Sequence, residues 1–287
     1  MKSMKKILAP IDLKEHSFAT LIQAAEIARY ADAQLVVLHV YHKPVLNGFY
    51  EKMMGPELAS AIEKGRLSQL QDYIKTQYHN LIDAIPALAD IRIKFIKERG
   101  MVVRKIIDIA ETEQADLIIM GSHKVNALNE FWGSKAAEVC LKVKTPVLVL
   151  PYRWTLQKPE KIAFAYDLKN IRRMSDLDLI KLLSVMYKSE IHIITILAGN
   201  KISEQEKENI DRLKEYFAEF LPLVHTVPAS DIEEGIFGYL RENKISLVTV
   251  LHRSRKLLEE MFHNSLTKRL VYHSDIPVLA LDDRETT

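Results

Sequence analysis

Lys6-Ile7-Leu8-Ala9-Pro10-Ile11-Asp12 opens the chain, and Lys161-Ile162-Ala163-Phe164-Ala165-Tyr166-Asp167 recurs 155 residues later. Each is a short apolar run of the length a buried strand uses, and each ends on aspartate followed by leucine. Working outward, LVVLHVY (35–41) is matched by IHIITIL (191–197), IRIKFI (91–96) by LVHTV (223–227), LIIMG (117–121) by LVTVL (247–251) and TPVLVL (145–150) by IPVLAL (276–281). Between them lie helix-period segments: 102–113 and 231–243 precede the fourth strands, and Ile210, Leu213, Phe217 and Phe220 share one face of 203–220. Strands that are apolar almost throughout, alternating with helices, predict a parallel sheet covered on both faces. The expected class is α/β, as two tandem doubly wound domains over residues 1–152 and 158–284, the second with a degenerate loop. Trp154, in the short linker, is expected to pack between them. The first copy carries extra residues, about 42–90, in which Asn47-Gly48 beside Phe49, Tyr50, Met53 and Met54 predicts an ordered loop with apolar contacts.

A chain of 287 residues is long enough for two domains of about 100 to 150 residues, each with its own core. Forty basic against 38 acidic side chains leave a net charge of +2, so no long-range field selects nucleic acid or an anionic membrane. The lone Cys140 excludes an internal disulfide and a cysteine metal cluster, and reads as a packed core thiol. With no stretch approaching the ~20 apolar residues that span a bilayer, a cytoplasmic protein is expected. No HExxH motif indicates metal, no G-x-S-x-G elbow surrounds Ser122, and His39 and His192 read as hydrogen-bonded strand residues near the core. No catalytic residue is assigned.

In open parallel sheets a ligand sits beyond the carboxyl ends of the strands where strand order reverses, and Asp12 and Gly121 end the first and fourth strands. Gly121-Ser122-His123-Lys124 is followed by Gly133-Ser134-Lys135, which opens a helix running to about residue 142. Backbone amides of such a loop and helix start attract phosphate. The pattern is neither GxxxxGK[ST] nor a strand-one GxGxxG.

These features resemble the universal stress proteins across essentially the whole chain: the aspartate ending strand one, the MGSH turn, the GS pair and the TPVLVLP strand. The resemblance implies two five-stranded parallel sheets of order 3-2-1-4-5, pairing through the fifth strands and, in one branch of the family, ATP binding. Its ATP contacts fall on Pro10, Asp12, Val40, Met120, Gly121, Gly133 and Ser134, with Asp12 at the adenosine end and Ser134 at the phosphates. Lys124 stands where the family's second glycine would be, and the loop is one position shorter than G-x2-G-x9-G-[ST]. Lys124 either adds a phosphate cation or fills the pocket.

The second copy keeps Asp167 but replaces Pro10 with Ala165 and loses every loop glycine. His252, Arg253 and Arg255, with Lys256, His263 and Lys268, form a basic cluster that reads as a solvated face or as an anion site. Three functions follow from the resemblance: a nucleotide-responsive stress protein taking ATP, with or without Mg, in the first copy; a dimeric stress adaptor that binds no nucleotide; and a slow ATP-hydrolysing or nucleotidyl-transferring enzyme. Whether two chains form a homodimer is left open, since the two internal fifth strands can satisfy each other.

Overall fold

The computed structural model describes residues 4–13, 17–41, 56–88, 90–122, 134–151, 154, 157–197, 202–228, 231–252 and 266–284. Strand β1 (Lys6–Ile11) sets the layering. Its side chains alternate, so Ile7, Ala9 and Ile11 enter one apolar core and Leu8 the other. The same alternation runs through β2 (Gln34–Tyr41), β4 (Leu117–Gly121) and β5 (Val147–Leu150), which explains why these strands are apolar without interruption.

Helix α1 (Ser17–Ala31) covers the first face, while α3 (Val102–Thr112) and α4 (Ser134–Lys142) cover the second. Helix α2 (Pro56–Asp83) leads to the edge strand β3 (Ile93–Arg99). The second half repeats the plan with β6 (Lys161–Ala165), α5 (Asp178–Tyr187), β7 (Glu190–Leu197), α6 (Glu204–Tyr216), β8 (Leu223–Pro228), α7 (Ile232–Glu242), β9 (Leu247–His252), α8 (Leu266–His273) and β10 (Val278–Asp282).

The ten strands among the described residues form one sheet, in the order β3-β2-β1-β4-β5-β10-β9-β6-β7-β8. Each half therefore has the order 3-2-1-4-5, and every pairing is parallel except the central one. There β5 and β10 run antiparallel, with Leu148 opposite Leu279. Each fifth strand removes the other's open edge, leaving β3 and β8 as the ends of the sheet. The cores merge across this seam: Leu148 and Leu150 share one cluster with Leu279 and Leu281. Trp154 lies at the seam beside Leu148 and Leu150 of the first half and Leu183 and Tyr187 of the second.

The backbone repeats as closely as the side chains. Left-handed residues that are not glycine recur in pairs, Leu13 with Leu168, Asp32 with Lys188 and Gln114 with Lys244. Gln114 and Lys244 follow equivalent helices, and in each the next amide closes back on a carbonyl five residues earlier, at Ala110 and Leu240. Leu13 and Leu168 turn the chain just after the two strand-one aspartates.

Two expectations change. The third strand covers Ile93–Arg99 rather than 91–96, because an edge strand needs few apolar residues and here exposes Lys94, Lys97 and Arg99. The extra residues of the first copy contain a 28-residue helix, α2, where the second copy has the 13 residues of α6. The Asn47-Gly48 loop lies outside the described residues.

Candidate functional site

In each half the chain leaves β1 or β6 in one direction across the sheet and later returns to the other side for the fourth strand. In the first half β1 lies between β2 and β4, so the carboxyl ends of all three meet at this switch point. Pro10 from β1 and Asp12 just after it, Val40 from β2, and Met120 and Gly121 from β4 are brought to one edge of the sheet. Met120 is buried, and the other four are half-buried.

Asp12 is fixed by the start of α1. Its backbone amide donates to Ser17 Oγ at 3.4 Å, and the Ser17 hydroxyl donates back to Asp12 Oδ1 at 2.8 Å. A carboxylate at the beginning of a helix is also favoured by the helix dipole. His39, beside it on β2, donates from Nδ1 to the carbonyl of Ile11 at 3.0 Å. Burial pushes His39 below its ordinary range, against the pull of the Ile11 bond and the Asp12 charge, and leaves the ring neutral at pH 7.

Gly121 has a packing reason to be glycine. A β-carbon there would lie 3.3 Å from Thr20 Oγ1 of α1, and Thr20 is buried. Gly121→Ala is expected to lower stability by about 1 kcal/mol in urea unfolding. Removing the hydroxyl as well, in a Gly121→Ala, Thr20→Ala pair, is expected to return part of that loss. Equal losses in the single and double variants would contradict the contact.

Ser134 is the first residue of α4, as the sequence suggested for the helix start, and its side chain lies outside the described residues together with Lys124 and Gly133. Ser122 closes the β4 end by donating its amide to Leu150 O at 2.8 Å.

The second half departs at the same edge. Asp167 is exposed and accepts from the Lys169 amide at 3.2 Å, folding onto its own turn. Tyr166 stands where the first half has Ile11; it is buried, stacks on Phe164 at 5.8 Å and donates to Lys169 O at 2.6 Å. His252 ends β9 with its side chain outside the described residues, as are Arg253 and Arg255.

Cys140 is buried in α4, and burial pushes its thiol up to about 12, in agreement with a packing role. Among the described residues no group of three or more histidine, cysteine or acidic side chains could hold a metal ion. Nor, among them, is any helix long and apolar enough to cross a membrane.

A five-stranded parallel half-sheet of order 3-2-1-4-5, with a carboxylate held at its switch point, defines a doubly wound α/β protein. The sequence profile of the universal stress protein family matches residues 4–151, and the chain belongs to that family. Universal stress protein A homolog 1 of Coxiella burnetii is 31% identical over 139 residues, covering 46% of this chain and 85% of that protein. Universal stress protein MJ0577 of Methanocaldococcus jannaschii is 29% identical over 153 residues, 51% of this chain and 94% of its own length. A solved universal stress protein from Archaeoglobus fulgidus shares the fold over 97% of this chain and 96% of its own, with a TM-score of 0.68 at 18% identity.

Proposed function

We propose that this universal stress protein responds to a nucleotide, with ATP received in the first half and the second half retained for pairing. The observation that carries the reading is Asp12 at the switch point, half-buried and held by Ser17, where Asp167 in the second half is exposed and accepts from the Lys169 amide. Pro10, Val40, Met120 and Gly121 would line the adenosine end beside Asp12. Lys124, Gly133 and Ser134 would hold phosphate, with Mg accompanying it. The bound nucleotide would supply a signal set by its cellular level, and the chain's own residues bind and orient it. His252, Arg253 and Arg255 are assigned a second anion-facing surface. Residues 1–152 and 158–284 are read as the two units, and the protein as cytoplasmic.

Denaturing the purified protein and identifying released nucleotide, together with calorimetric titration of Mg-ATP, tests the reading. One adenine nucleotide per chain is expected. Absence of released nucleotide, with no heat of binding up to millimolar ATP, would leave the adaptor reading in its place.

A further inference from the structure

The two halves differ inside the second-face core, at three positions that meet in space. In the first half they are Val36 on β2, Ile96 on β3 and Ile109 on α3, all in the apolar cluster. In the second half the equivalents are His192, His225 and Tyr239. The equivalence follows from pairing and backbone: Ile96 is opposite Leu38 as His225 is opposite Ile194, and Ile109 and Tyr239 each stand five residues before the left-handed Gln114 and Lys244.

The replacements form one network. His192 is 2% exposed, and its Nε2 donates to Glu190 Oε1 while its Nδ1 accepts from the Tyr239 hydroxyl at 2.7 Å. A carboxylate can only accept, so the ring's Nε2 proton faces Glu190, and in the neutral ring Nδ1 is left to accept from the Tyr239 hydroxyl. The His225 ring stacks on His192 with centroids 5.5 Å apart and on Tyr239 at 5.1 Å. His225 Nε2 is buried and meets no hydrogen-bond partner among the described residues. Charged and titratable groups reach His192 from each packed element: Glu190 on its own strand, Lys161 on β6, His225 on β8 and Tyr239 on α7.

A proton added at His192 Nδ1 turns the Tyr239 hydroxyl from donor to acceptor, takes away the partner of the hydroxyl's own proton, and places a cation in a core beside a second imidazole. We propose that the Glu190, His192, His225 and Tyr239 cluster is a pH-sensitive latch that holds β8 and α7 on the second half at neutral pH and loosens them on acidification. Burial, with smaller contributions from His225 and Lys161, holds His192 below its ordinary range despite the opposing Glu190 bond and charge. The unfolded or opened chain therefore binds a proton that the closed state refuses. Stability from this site is present above the ordinary histidine value, about 6.5, and is lost as pH falls below it.

Hydrogen exchange of the full chain at about pH 7.5 and about pH 5.5, corrected for intrinsic rates, reads the latch. Protection of residues 223–228 and 232–242 is expected to fall by several-fold, to a ceiling of about tenfold for one proton, at the lower pH. The His192→Val, His225→Ile, Tyr239→Ile variant, which grafts the first half's residues, is expected to lose that dependence. An equal response in the variant, or none in the wild type, overturns the proposal. If the variant does not fold, the wild type decides: β8 and α7 must lose protection between about pH 6.5 and the lower pH at which the His192 ring titrates by NMR, and a loss outside that window overturns it. Acid loosening confined to β2 and α1 would report His39 instead and counts against the latch.

Discussion

Arg284→Ala is expected to lower the unfolding free energy by about 3–5 kcal/mol, measured by urea denaturation. Arg284 follows β10 at the end of the second half, yet it is 8% exposed and reaches into the first. Its guanidinium donates to Leu141 O at 2.6 Å and to Val143 O, the carbonyls at the end of α4, and its Nε pairs with Asp282. A cation at a helix C-terminus is favoured by the dipole, and planar donors suit several carbonyls at once. Truncation would strand both the helix-end carbonyls and a carboxylate whose side chain is only 11% exposed. Asp282→Asn with Arg284→Met removes the charge pair together and is expected to cost less than Arg284→Ala alone. A loss below about 1 kcal/mol for Arg284→Ala would mean that solvent replaces these bonds.

This tie shows where sequence reasoning reaches and where it stops. The matched apolar runs predict β1, β2, β4 and β5 and their counterparts within two residues at each end, because strands buried on both faces must be apolar without interruption. The edge strand β3 gives a weaker signal, read at 91–96 against the observed Ile93–Arg99, because its exposed residues break the apolar run. Arg284 had a faint one: Arg153 stands three residues after Leu150 as Arg284 stands three after Leu281. Its acceptors, however, are 143 and 141 positions away, and nothing local distinguishes it from a solvated arginine.

The histidine cluster is similar. His192 reads correctly as a hydrogen-bonded strand residue, but Tyr239 lies 47 positions on and is legible as a partner only once α7 is laid across β7. At the candidate site, Asp12 and Gly121 are legible as strand ends. The hold of Ser17 on Asp12 and the close approach of Thr20 to Gly121 depend on how α1 docks.

On the nucleotide reading, Asp12→Ala is expected to weaken Mg-ATP binding by about 10- to 100-fold in calorimetric titration. A hydrogen bond from a ligand hydroxyl to a charged acceptor contributes about 1.5–3 kcal/mol, and each 1.4 kcal/mol is about tenfold in affinity. Asp167→Ala is expected to leave affinity unchanged, since that carboxylate is exposed and committed to the Lys169 turn. Ser17→Ala separates orientation from charge. It keeps the carboxylate but removes the donor that fixes Oδ1, so a smaller loss of about 3- to 10-fold is expected, through freedom restored to Asp12. Both Asp12→Ala and Ser17→Ala alter the start of α1, so thermal unfolding of each apo variant is the control that keeps a folding defect from passing as a binding defect. If ATP binds and Asp12→Ala matches the wild type while Asp167→Ala does not, the site belongs to the second half and the assignment of roles between the two copies reverses.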